Sequence, residues 1–98
     1  MKAQPHRVVR RRTKDWRMPP DTIYVGRPTV WGNPYRIGSK LLNGETLTAE
    51  KAIALYRQHV REVFDLDTIR SRLGGKNLAC WCRLDRPCHA DVLLELAN

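Results

Sequence analysis

The longest regular pattern of apolar positions lies in the middle of the chain. Ile53, Tyr56 and Val60 recur at intervals of three or four residues, which is the spacing of one face of an α-helix. Thr48 precedes this stretch and is a residue type that commonly caps a helix N-terminus. The pattern therefore predicts a helix over about residues 48–64.

Two shorter patterns predict further helices. The apolar side chains of Leu66–Leu73 have helical spacing. Gly74 and Gly75 follow directly and could end this helix, because helices commonly end at a glycine in the left-handed conformation. Near the C-terminus, the apolar residues of Ala90–Ala97 form one face of a terminal helix. Pro87 lies just before it and is suited to an early helical position.

Short runs rich in β-branched and aromatic residues predict strands. These runs are residues 6–11, Thr22–Val25, Pro34–Ile37 and Asn77–Trp81. The helices between the last two runs would form a crossover, which favours parallel pairing of those strands. We therefore predict an α/β fold with a small mixed, partly parallel sheet of about four strands, covered by two to three helices.

Size and charge indicate how the chain is organised. Ninety-eight residues, 42% of them hydrophobic, are enough for one domain with one core. Residues 1–17 hold seven basic side chains and one acidic side chain, a net charge of +6, whereas residues 18–98 hold eleven and nine, a net charge of +2. We predict a basic N-terminal arm over residues 1–17, which could include the first strand, and a single compact α/β domain over residues 18–98.

The arm contains three consecutive arginines. Arg10, Arg11 and Arg12 create a positive field that attracts phosphates, so they are candidate nucleic-acid contacts. Two other interpretations are a solvated tail that aids solubility and an edge strand built around Val8 and Val9.

The apolar stretches and the cysteines indicate the cellular compartment. No stretch approaches the roughly 20 apolar residues of a membrane span, and the N-terminus lacks the apolar region of a secretory signal. The three cysteines fall within residues 80–88 and do not resemble a secreted disulfide framework. We expect a cytoplasmic protein in a reducing compartment, with no membrane partner.

The cysteine segment predicts a metal site. Cys80 and Cys82 are two residues apart, so on a strand their sulfurs would share a face with Trp81 opposite. Cys88 or His89, returned by the intervening loop, could complete a tetrahedral zinc site. The alternative is a core strand that carries small buried thiols.

A second interpretation of this segment is catalytic. Cys88 lies where the last helix begins, and helix N-termini and nearby arginines lower thiol pKa values. His89 could then act as a base or proton shuttle, and Asp91 could orient the imidazole. The alternative is that Asp91 only complements the helix dipole and that His89 is exposed.

A loop that follows the second strand contains candidate ligand-binding residues. Gly26 and Gly32 permit close approach of the backbone, and Arg27 could hold a phosphate or carboxylate. Asn33 could donate or accept hydrogen bonds, and Trp31 could stack on a base or sugar. The alternative is a tight structural turn with Trp31 in the core.

Taken together, these motifs resemble a family of small proteins from bacteria and bacteriophages, the domain of unknown function 4326. The resemblance covers about residues 7–98 and rests on Gly26-Arg27, Trp31-Gly32-Asn33-Pro34, Cys80-Trp81-Cys82 and Cys88-His89-Ala90-Asp91. It implies a single domain with a site built from these segments, in a bacterial cell or a phage-infected host. It implies no particular activity.

Three functional hypotheses follow from these residues. The leading one is a domain that binds a phosphate-bearing ligand, either a nucleotide or a nucleic acid, in a cleft between Gly26–Pro34 and Cys82–Asp91. The second is an enzyme that acts on such a ligand through Cys88, His89 and Asp91. The third is a zinc-stabilised module whose arm docks on a nucleic acid or an acidic protein partner.

Overall fold

The computed structural model describes residues 4–98 and contains one sheet. Its strands are β1 (Arg7–Val9), β2 (Thr22–Tyr24) and β3 (Asn77–Cys80). They lie in the order β1-β3-β2, and β3 is parallel to both neighbours. The helices are α1 (Ala49–Val63), α2 (Leu66–Leu73) and α3 (His89–Ala97). The predicted α/β class is confirmed, with three helices and a sheet of three strands.

The predicted helix bounds agree closely with the structure because their capping signals are local. The Thr48 hydroxyl accepts a hydrogen bond from the Lys51 N–H at the start of α1. The Asp65 carboxylate accepts one from the Thr68 N–H at the start of α2. Each bond satisfies a backbone donor that the helix itself leaves unpaired.

The prediction of a strand over Pro34–Ile37 is wrong. This segment pairs with no other strand in the described part of the chain. The Asn33 side-chain oxygen accepts a hydrogen bond from the Tyr35 N–H at 2.8 Å, and Pro34 has no N–H to donate to a sheet. Beyond it, Lys40 and Thr46 form a single antiparallel bridge. The neighbours of β3 are therefore β1 and β2.

Trp31 anchors the middle of the sequence between β2 and α1 to the core. The Trp31 ring is only 6% exposed and packs against Phe64, with ring centroids 4.5 Å apart. The buried Tyr56 hydroxyl on α1 donates a hydrogen bond to the Trp31 carbonyl at 2.6 Å. Packing and hydrogen bonding together fix where this loop leaves the core.

The predicted arm contains β1, and the residue after this strand also bonds to β3. Arg10 follows β1, and its N–H donates to the Cys80 carbonyl at 2.8 Å. Residues 1–3 of the arm lie outside the described residues. Across residues 4–98, none of the helices has the length and apolar character needed to cross a membrane.

Candidate functional site

The two unusual sequence segments meet at one edge of the sheet. Because β2 and β3 are parallel neighbours, the chain leaves both strands at the same edge. The loop after β2 and the loop after β3 line one cleft there, with a volume of about 350 Å³. The start of α3 also lines this cleft through Cys88 and His89.

The lining of the cleft includes residues of the loop after β2, aromatic rings and sulfur atoms. The loop after β2 contributes Gly26, Arg27 and Asn33, which were predicted as ligand-binding residues. Aromatic rings come from Tyr24, Tyr35 and Trp81, and sulfur atoms come from all three cysteines of the chain. Among the described residues that line the cleft there is no aspartate or glutamate.

Hydrogen bonds hold the loop after β2 in a compact form. The Arg27 Nε–H donates to the Asn33 carbonyl at 2.8 Å, and the Tyr24 hydroxyl donates to the Arg27 carbonyl at 2.7 Å. A Cβ at Gly26 would overlap the Tyr24 phenol, and a Cβ at Gly32 would lie 3.1 Å from the Arg27 backbone. Both glycines are therefore needed for close approach within the loop.

The structure corrects the expectation that Trp31 stacks on a ligand. Trp31 lies in the core, and neither it nor Gly32 is among the residues that line the cleft. Sequence reasoning instead missed Trp81, which is 42% exposed and borders the cleft. Strand alternation predicts Trp81 on the side opposite the sulfurs, but β3 ends at Cys80 and the alternation ends with it.

The three cysteine sulfurs converge at the cleft. The Sγ atoms of Cys80 and Cys88 are 3.3 Å apart, and all three Sγ atoms lie within 4.8 Å of one another. Cys80 and Cys88 are buried, whereas Cys82 is partly exposed. These three residues could hold a metal ion.

The thiols also differ in acidity because they hydrogen-bond to one another. Hydrogen bonds from Cys80 and Cys88 lower the pKa of the Cys82 thiol. Hydrogen bonds to Cys80 and Cys82, together with burial, raise the pKa of Cys88. This arrangement favours Cys82 as the thiolate of the cluster, whereas the position of Cys88 at a helix N-terminus predicts Cys88.

His89 is buried, so the interpretation of it as an exposed residue is wrong. It is 7% exposed, and its Nε2 lies 2.7 Å from the Val25 carbonyl, which can only accept a hydrogen bond. Burial lowers the pKa of His89, which favours the neutral ring. With the proton on Nε2, the Nδ1 lone pair lies 3.6 Å from the Cys88 Sγ.

Asp91 does not orient His89. Its carboxylate accepts a hydrogen bond from the Arg7 Nη1 at 2.8 Å. The Arg7 Nη2 donates to the Arg83 carbonyl at 2.8 Å, and the Arg7 side chain is 6% exposed. Arg7 thus joins β1 to the loop after β3 and to the first turn of α3. Sequence reasoning missed this residue because it counted Arg7 only as part of the basic arm.

The structure separates the three consecutive arginines of the arm. The Arg10 guanidinium carbon lies 4.6 Å from the Tyr24 ring centroid and 4.8 Å from that of Trp81. That of Arg12 lies 4.9 Å from the Trp81 centroid. Arg11 instead lines a different groove. Arg10 and Arg12 therefore pack on a ring that borders the cleft, and Arg11 does not share this position.

A comparison with known protein families matches residues 8–98 to the domain of unknown function 4326. The chain belongs to this family. The match extends from β1 to the C-terminus, so the family domain includes both loops of the cleft and all three cysteines. Comparisons with curated proteins and with solved structures found no match to this family member.

The role of Arg7 predicts a large effect on stability. Arg7→Leu should lower the free energy of unfolding by about 1–3 kcal/mol, because it removes a buried guanidinium that donates hydrogen bonds to the Arg83 carbonyl and the Asp91 carboxylate. Urea denaturation of the parent and the variant measures this difference.

Arg57→Leu is the matched control. Arg57 forms an ion pair with Glu95 at 2.7 Å, but both side chains are largely exposed, at 42% and 62%. Exposed pairs contribute about 0–1 kcal/mol, so this variant should remain close to the parent. Equal losses in the two variants would show that Arg7 does not hold the cleft segments together.

Proposed function

We propose that this domain is intracellular and binds a phosphate-bearing ligand, either a nucleotide or a segment of nucleic acid. The binding site is the cleft between Gly26–Pro34 and Cys82–Asp91. The observation that supports this most is that both segments line one cleft at the carboxyl ends of β2 and β3. Ligands of parallel α/β sheets bind outside the carboxyl ends of the strands.

Charge in and around the cleft favours an anion. Arg27 uses its Nε on the Asn33 carbonyl, which leaves the two terminal amino groups of the guanidinium for a phosphate. The N-terminus of α3 borders the cleft, and its cap residue Cys88 makes no side-chain capping bond. A helix N-terminus adds partial positive charge to this side of the cleft, and no carboxylate among the described lining residues opposes an anion on Arg27.

The aromatic lining favours a ligand that also has a planar part. Tyr24, Tyr35 and Trp81 offer ring surfaces, and Ile53 adds an apolar contact. A volume of about 350 Å³ is near the lower end of the range of roughly 300–1,000 Å³ for small-molecule sites. This size favours a mononucleotide, or a single nucleotide of a longer strand whose backbone would continue past Arg12.

The enzyme hypothesis through Cys88, His89 and Asp91 has less support. The Asp91 carboxylate is bound to Arg7, and the Cys88 thiol is buried with a raised pKa. A base, its orienting acid and an accessible nucleophile are therefore not assembled from these three residues.

A second function is supported by the sulfur geometry. Thiolates bind zinc at about 2.3 Å, so two sulfurs of a tetrahedral zinc site lie about 3.8 Å apart. The sulfurs of Cys80 and Cys88 are 3.3 Å apart and all three sulfurs lie within 4.8 Å of one another, so a single ion can bridge them after small movements. We propose that these residues hold zinc and that the ion stabilises this small domain.

The ligand proposal predicts a specific effect of Arg27→Ala. Loss of a charge-assisted hydrogen bond should weaken nucleotide binding by about 10- to 150-fold, equivalent to about 1.5–3 kcal/mol. Calorimetric titration with nucleoside mono-, di- and triphosphates measures the affinity. Arg70→Ala removes the same charge from the exposed surface of α2 and should bind like the parent. Equal affinity of the two variants, or no nucleotide binding by the parent, would contradict the proposal.

The zinc proposal predicts that metal and stability are linked. Protein purified in the presence of zinc should contain one zinc ion per chain by elemental mass spectrometry, and a chelator should lower its Tm. Cys88→Ser should lose the ion, whereas Ser39→Ala, on the exposed surface, should retain it. Zinc-free protein with an unchanged Tm would refute a metal-stabilised domain.

A further inference from the structure

The three-sulfur cluster and the ligand cleft belong to one site. We infer that a zinc ion held by Cys80, Cys82 and Cys88 has its fourth coordination position open to the cleft. That position takes a neutral donor, either a water molecule or a ring nitrogen of the base of a bound nucleotide. This inference rests on the two functions proposed above and specifies how the metal and the ligand meet.

The placement of the sulfurs sets where the ion would lie. All three cysteines line the cleft, and Cys82 is partly exposed to it. With bonds of about 2.3 Å, an ion bound to all three sulfurs lies within about 1 Å of the plane they define. The ion therefore lies at the wall of the cleft, and a ligand in the cleft can approach it.

Within residues 4–98, the protein does not place a fourth donor beside the three sulfurs. The group of mutually close ligand atoms contains neither a histidine nitrogen nor a carboxylate oxygen. His89 comes nearest, with Nδ1 3.6 Å from the Cys88 Sγ, but its ring is held by the 2.7 Å hydrogen bond to Val25. Asp91 is held by Arg7. Zinc sites with three protein ligands keep a position for water or substrate, whereas structural sites are closed by four.

Charge decides which donor fits the open position. Three thiolates and a divalent ion carry a net charge of −1, which disfavours a phosphate oxygen as the fourth ligand. Water and aromatic ring nitrogens are neutral and are good ligands of zinc. Arg27, on the opposing loop, is free to hold the phosphate of the same ligand. The base would thus face the metal while the phosphate binds the arginine.

Cobalt(II) substituted for zinc in the full chain makes the coordination visible in the absorption spectrum. Imidazole is a neutral nitrogen donor, and inorganic phosphate is an anionic oxygen donor of similar size. Titration with imidazole should produce a saturable change in the visible d–d bands, and titration with phosphate should not. A spectrum that imidazole leaves unchanged would show a closed site and overturn the inference. A response to phosphate alone would overturn the neutral-donor assignment.

The variant His89→Gln tests the one competing protein ligand. Glutamine retains an N–H that can donate to the Val25 carbonyl but has no Nδ1 lone pair. This variant should still bind cobalt and should respond to imidazole as the parent does. An imidazole response that appears only after the substitution would identify His89 as the fourth ligand and refute the open position. Cys82→Ser is the positive control and should weaken cobalt binding by at least about 100-fold, since even outer partners of ligands contribute 10- to 100-fold.

The experiment separates this inference from the functions on which it rests. A parent protein that binds no cobalt would refute the zinc proposal and this inference together. A normal imidazole response in a protein that binds no nucleotide by calorimetry would refute only the ligand proposal and would support the open position.

Discussion

Strand β3 lies between β1 and β2 and runs parallel to both, and the arrangement of the site depends on this pairing. Parallel pairing makes the chain leave every strand at the same edge of the sheet. The loop after β2, the loop after β3 and the start of α3 therefore meet, although residues 26 and 88 are far apart in sequence. The sheet has only three short strands, but further hydrogen bonds hold the residues that lie next to these strands in place.

Two buried side chains supply these contacts. Arg7 joins β1 to the loop after β3 and to α3, and His89 joins α3 to Val25 at the end of β2. Each donates a hydrogen bond to a backbone carbonyl of another segment, and Arg7 also pairs with the half-exposed Asp91 carboxylate. His89 also lies beside the cysteine cluster, with its Nδ1 3.6 Å from the Cys88 Sγ, and Arg7 binds the loop after β3, which contains Cys82. The contacts that hold these segments together therefore also help to position Cys82 and Cys88.

Local patterns in the sequence predicted the helices and the cleft segments, but long-range contacts decided the rest. Thr48 and Asp65 are caps that act within one turn, so the bounds of α1 and α2 follow from nearby residues. By contrast, nothing local in the sequence distinguishes Trp31 from Trp81. Trp31 lies in the core because it packs on Phe64, and Trp81 lies at the cleft because β3 ends just before it. Arg7 meets Asp91 across 84 positions, which no local pattern can predict.

If the loops after β2 and β3 form one ligand site, an amide NMR titration of the zinc-loaded protein with a nucleotide will show it directly. Saturable shifts are expected in two stretches at once, Gly26–Asn33 and Cys82–Ala90, with the same apparent Kd. The amides of α2, which does not line the cleft, should remain unchanged. Shifts confined to one of the two stretches, or spread along Arg10–Arg12 alone, would contradict a shared site.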